Sequence, residues 1–237
     1  MNAFSLWVYL SASPLLWLTV TLIAWLVADA LARAARGNAF VNPVLISIVL
    51  VGALLRLTGT PYERYFEGAQ FVHFLLGPAT VALGVPLYRN LALVRRNLLP
   101  MLAALLVGSL GAILSAVGIA AAFGLPREVI VSLAPKSVTA GIAMAISDSM
   151  GGVPSLTAAI VAVTGVVGAV VATPLMNALG IRDYVARGFA VGLSAHGIGT
   201  ARAFTISSVA GVFAGIAMAL NAVVTAFLVP LVLRFLP

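Results

Sequence analysis

Cysteine is absent from this 237-residue chain, lysine occurs once, histidine twice and carboxylates six times. Each shortage removes a class of function. Without cysteine there is no disulfide, no thiolate metal site and no thiol nucleophile, and no metal or cofactor is expected. Charge of either sign is scarce: 8% of residues are charged and 62% hydrophobic, against roughly 25% and 45–50% in soluble domains. With a mean hydropathy of +1.17, this composition fits a polytopic membrane protein. The net charge of +7 comes almost wholly from arginine. In a soluble chain that would point to nucleic acid; here the arginines stand between apolar runs, as the positive-inside rule expects. Nucleic-acid binding is not expected.

About 20 apolar residues cross a bilayer as a helix. On that ruler the spans are Leu6 to Val27, Phe40 to Leu57, Gln70 to Leu87, Leu98 to Phe123, Ser155 to Leu179 and Ser207 to Leu236. No basic residue precedes the first run, while Arg33 and Arg36 follow it, the pattern of an uncleaved span that ends in the cytoplasm. Two more segments, Leu133 to Met150 and Arg187 to Ala203, are apolar but interrupted by glycine and polar residues, which makes them discontinuous or re-entrant. Partial entry of Leu133 to Met150 would put Arg33, Arg36, Arg89, Arg95, Arg96, Arg182, Arg187 and Arg234 on one face. The expected fold is therefore all-α, a single membrane domain over 1–237 with about eight membrane segments. An echo of residues 76–85 in 133–142, with Gly108 and Gly111 repeated as Gly165 and Gly168, suggests inverted repeat halves at 40–124 and 128–236.

Polar groups inside such a chain cost free energy unless they serve a function or find partners. Pro135, Lys136, Ser137 and Thr139 read as the first turn of a helix, with proline near N1 and free N–H groups beside a hydroxyl and an ammonium. That combination binds an anion, and a carboxylate suits it. His196 lies in the glycine-rich run F-A-V-G-L-S-A-H-G-I-G-T-A-R-A, where an imidazole can contact substrate or couple transport to protons. The bland alternative is a core histidine bonded to a carbonyl. Asp148 could pair with Lys136 or help bind a coupling cation. Arg202 fits a helix end near the headgroups. Lys136 and Ser137 are adjacent and do not face each other on a helix, and no oxyanion motif accompanies them. Hydrolysis is not expected, and the chain is not expected to be an enzyme. Two-fold symmetry being the commonest assembly, a homodimer is expected.

Several strings taken together resemble the LrgB/CidB family of bacterial inner-membrane proteins: N-P-V-L-I-S-I at 42–48, F-L-L-G-P-A-T-V-A-L-G-V-P-L-Y at 74–88, P-K-S-V-T at 135–139, G-G-V-P-S-L-T-A at 151–158 and H-G-I-G-T-A-R-A at 196–203. The resemblance implies a multi-pass protein of the bacterial inner membrane. It implies, as the expected function, secondary transport of small monocarboxylates by alternating access, with glycolate or glycerate carried as in plastid relatives or pyruvate as in some bacterial members. The alternative is a holin- or antiholin-like effect on envelope permeability and murein hydrolase activity. Its implied partners are a small organic acid, membrane lipid and a small LrgA/CidA-type membrane protein. Substrate binding would fall to Pro135, Lys136, Ser137, Thr139, His196, Gly199 and Thr200. Ala145 and the stretch Phe204 to Ser208 stand where the family's pattern has acidic residues, which weakens any coupling role for carboxylates there.

Overall fold

A computed structural model describes residues 13–35, 41–75, 78, 81–82 and 84–235. Arg36, the ends of three expected spans (residues 6–12, 40 and 236) and Leu76, Gly77, Ala79, Thr80 and Leu83 of the internal echo lie outside the described residues. The structure is 85% helix without strands among the described residues. It divides into two compact units, Met1–Ala82 and Leu83–Pro237.

Unit 1 holds α1 (Pro14–Ala34), α2 (Pro43–Thr58) and α3 (Tyr62–Phe74). Proline stands in the first turn of α1 and of α2, where its missing N–H costs nothing. The Asn42 carboxamide oxygen caps α2 by accepting from Val44 N at 2.9 Å and Leu45 N at 3.3 Å, and Gly59, at φ 64°, ends it. The fully buried Trp17 packs edge-on against Tyr65 with centroids 6.1 Å apart, and Thr21 donates to the Tyr65 hydroxyl at 3.1 Å. The expected span Gln70 to Leu87 is not one helix: α3 starts at Tyr62 and the chain turns at Leu75.

Unit 2 holds α4 (Gly84–Arg89), α5 (Leu91–Arg96), α6 (Leu98–Ala122), α7 (Arg127–Leu133), α8 (Ala140–Ser149), α9 (Pro154–Ala178), α10 (Tyr184–Ile206) and α11 (Ser208–Leu233). Four described helices, α1, α6, α9 and α11, are long and apolar enough to cross a membrane. The helices α6 and α11 run parallel. Met101 and Leu105 share a core with Phe213 and Ala217, Ser109 meets Asn221, and Ile113 and Val117 share a second core with Val229 and Leu233.

The two interrupted segments fold as hairpins. Helix α7 is 7 residues long and α8 is 10, about 10 and 15 Å, so neither crosses a bilayer alone. Between them the chain reverses: Ile130 and Val131 share a core with Ile146, with Leu133 and Met150 packed against it, and the Ser132 hydroxyl accepts from Val153 N at 2.8 Å. Helix α10 has 23 residues and would be about 35 Å long if straight. Yet Tyr184 and Arg187 line the same cavity as Arg202 and Ile206, because the chain doubles back at His196, where φ is 40° and ψ −132°. Gly188 and Gly192 lie against the backbones of Ala210 and Ala214, so the first arm of α10 runs alongside the start of α11. The second arm must return to the end from which the first set out.

This corrects one expectation. Because α10 does not cross, Arg234 after α11 lies at the opposite end of unit 2 from Arg182 and Arg187.

Candidate functional site

The two hairpins approach from opposite ends of α11 and meet at its middle. The α7–α8 hairpin packs on Val229 and Leu233, and the α10 hairpin packs on Val212, Phe213 and Ala217. Between them is Asn221, fully buried. Its Nδ2 donates to the carbonyl of Leu193 at 2.9 Å and to that of Ser137 at 3.3 Å. Its Oδ1 accepts from Ser109 Oγ at 2.7 Å and from Thr225 Oγ1 at 3.1 Å. One carboxamide thus holds a carbonyl of each interrupted segment, groups that a continuous helix would have satisfied internally. Neither Asn221 nor Ser109 and Thr225 is part of a motif. The signal that could have found them is a lone amide midway along a 26-residue apolar helix.

The first tip is a turn rather than a helix start. Helix α7 ends at Leu133, and α8 begins only at Ala140 with Thr139 at the N-cap. Between them, Lys136 N donates to Leu133 O and Val138 N to Pro135 O, each at 3.2 Å. The expected helix start at Pro135 is therefore corrected to Ala140, and the N–H groups of Lys136 and Val138 are used within the turn. Pro135 and Ser137 are buried, and Lys136 and Thr139 half-buried. The Lys136 side chain has no hydrogen bond or ion pair among the described residues. Asp148 does not pair with it. That carboxylate is exposed at the far end of α8, about 12 Å along the helix from Ala140.

The second tip turns at His196, 5% exposed, with one ring nitrogen 3.0 Å from Val161 O. This is the carbonyl-bonded core histidine of the bland reading. Its positive φ is unfavourable for a non-glycine residue, by about 1–3 kcal/mol, and the surroundings hold it there. A β-carbon on Gly165 would stand 2.6 Å from His196 Cε1, and one on Gly199 2.6 Å from the Ala195 β-carbon. Thr200 Oγ1 donates to His196 O at 2.7 Å, satisfying the carbonyl at the reversal.

The structure therefore brings His196, Gly199 and Thr200 together at one tip and Pro135, Lys136, Ser137 and Thr139 at the other. Asn221 joins the two through Leu193 and Ser137. It leaves Asp148 apart. A second buried pair, Thr157 Oγ1 donating to Ser147 Oγ at 2.7 Å, fixes α8 to α9. No group of three or more metal-ligating side chains occurs among the described residues.

Comparison with known proteins places this geometry in context. The model of the LrgB-like family matches residues 21–235. The chain is 36% identical to YwbG of Bacillus subtilis over 83% of its length and 88% of the relative's. It is 35% identical to YxaC of the same organism over 81% and 84%. It is also 28% identical to the antiholin-like protein LrgB of Bacillus cereus over 94% and 97%. No solved structure matches the chain.

Proposed function

The chain belongs to the LrgB-like family, and on that premise we propose that it regulates the permeability of the bacterial inner membrane in an antiholin-like manner. The observation that carries this reading is the nearly end-to-end likeness to antiholin-like LrgB proteins. The fold supports it, because the two hairpin tips at mid-depth are held together by the buried Asn221. Each such bond contributes about 1 kcal/mol, weak enough for a partner to shift. The partner is a small LrgA/CidA-type membrane protein, and the chain itself is a homodimer with no enzymatic activity. Arg95, Arg96, Arg182, Arg187 and Arg202, with Asp183, gather at the end of unit 2 where α6, α10 and α11 begin, against Arg127 and Arg234 with Glu128 and Asp148 at the other. The first end accordingly faces the cytoplasm. The inverted-repeat halves belong to the same proposal, with residues 70–87 as counterpart of the α7–α8 hairpin.

The test is co-expression with a small holin-like membrane protein in a bacterial host, following membrane depolarisation and extracellular murein hydrolase bands. Delayed depolarisation and altered hydrolase activity are expected. If both traces match those of the holin-like protein alone, the antiholin-like reading fails.

A second reading, carriage of small monocarboxylates, is favoured by Lys136, a cation half-buried at a mid-depth tip with no partner among the described residues. A charge so placed is costly until an anion joins it, and glycolate or pyruvate supplies one. Ser137 and Thr139 on its own tip, and His196 and Thr200 on the other, would bind the rest of the substrate, and His196 would carry any coupled proton. Counterflow of labelled glycolate and pyruvate in proteoliposomes tests this. Saturable exchange that disappears in Lys136→Ala supports the carrier, and exchange unaltered by that change removes Lys136 from the site.

A further inference from the structure

The fold-back of α10 has a second result, at the base of the hairpin rather than its tip. Arg187 and Arg202, 15 positions apart in sequence, line one small cavity together with Thr173 and Tyr184, and no acidic side chain lines it. Both arginines are half-buried. The guanidinium of Arg187 is oriented from behind: its Nε donates to Ile181 O at 2.6 Å and an Nη donates to Asn177 Oδ1. Of five N–H donors, three remain to face the cavity or solvent. The remaining wall is apolar, from Ala169, Ala172, Val191 and Ile206.

Two guanidinium groups sharing a partly dry cavity repel each other, and the repulsion grows as the dielectric falls. An anion between them reverses its sign and uses the planar forks, which match a carboxylate or a phosphate. We propose that this cavity is an oxyanion site, separate from the hairpin tips, that takes a carboxylate or phosphate group carried on an apolar stem. The polar residues hold the anion, and the alanine, valine and isoleucine wall takes the stem. Two sources have this chemistry. One is an anionic phospholipid, which is concentrated in the cytoplasmic leaflet and recognised by basic pockets between membrane helices. The other is a short free organic acid. The site stands whether the chain acts as a permeability regulator or as a carrier.

The experiment compares the full chain with Arg202→Gln, Arg202→Lys and, as an exposed-arginine control, Arg234→Gln. Arg202 is varied because Arg187 also ties the α9–α10 turn, so its loss would confound folding with binding. In the first arm, native mass spectrometry of delipidated protein measures retention of phosphatidylglycerol against phosphatidylcholine. In the second, thermal shift and equilibrium dialysis measure pyruvate and inorganic phosphate. Arg202→Gln should lower anion affinity about tenfold, one charge-assisted interaction. Arg202→Lys should recover part of it, and Arg234→Gln should match the parent. Selective loss of phosphatidylglycerol identifies the lipid as the source; selective loss of pyruvate or phosphate identifies the free anion. Binding of neither class by the parent chain, or equal binding by parent and Arg202→Gln, overturns the proposal. Native mobility of each variant on size exclusion separates misfolding from loss of the site.

Discussion

The two hairpins make the same reversal midway along α11 by opposite means. The α7–α8 hairpin spends six residues, 134–139, on its turn and satisfies backbone groups within it, through Lys136 N to Leu133 O and Val138 N to Pro135 O. The α10 hairpin reverses essentially at one residue, His196, in a conformation that its own side chain disfavours. A turn of the first kind carries its own local support. One of the second kind depends on its neighbours, and they are small: Gly165 beside the imidazole, and Gly188 and Gly192 flush against the backbone of α11. The contrast says where each hairpin is vulnerable, the first in its shared contact with Asn221 and the second along its whole packed face.

The largest effect should come from Gly192→Leu. Any β-carbon there meets backbone atoms of Ala214, which cannot swing aside as a side-chain tip can, so α10 must part from α11. We expect a loss above about 3 kcal/mol, seen as failure to yield monodisperse protein in detergent. Asn221→Leu should come next and touch both hairpins together. It leaves the Ser137 and Leu193 carbonyls without their amide donor and removes the acceptor used by Ser109 and Thr225. The cost should be about 2–4 kcal/mol by thermal melting. Proteolysis or labelling should show both tips loosened. Loosening of only one would mean that the hairpins are independent and that Asn221 is not their link.

Much of this was legible from residue types. The long apolar runs gave α6, α9 and α11, and located α1 but ended it at Val27, whereas the helix continues to Ala34. Both interrupted segments stood out because proline, glycine and lysine are conspicuous in an oily chain. Other features were not. Helix α3 was misplaced because Glu63, Arg64 and Glu67 make Tyr62–Phe74 too polar for a hydropathy ruler. The start of α8 was set five residues early, at Pro135, because proline suits a first turn and a tight turn equally well. The meeting point at Asn221 depends on parallel packing of α6 and α11, which no local pattern encodes. The cavity at Arg187 and Arg202 depends on the fold-back at His196. A histidine at positive φ has no signature in a single sequence, since its strain is supported by residues from another helix.

That strain yields the next comparison. His196→Ala and His196→Gly remove the same imidazole and the same bond to Val161 O, but only glycine is at ease at φ 40°. The glycine variant should be the more stable of the two by about 1 kcal/mol, measured as the difference in thermal midpoint between two equally truncated proteins. Equal midpoints would show that the neighbours impose no strain at the second tip.

The smallest effect belongs to the first tip. Thr139 is the N-cap of α8, yet its side chain makes no capping hydrogen bond, so Thr139→Ala should cost less than about 0.5 kcal/mol, below the usual toll of losing a cap. A larger loss of stability would mean that the hydroxyl holds the turn by a bond formed only in the membrane, and the first hairpin would then depend on side-chain support as the second does. A null result in stability together with weaker glycolate or pyruvate counterflow would instead assign the hydroxyl to a ligand. A residue that supports the fold should alter the melting midpoint before it alters exchange, whereas one that contacts substrate should do the reverse.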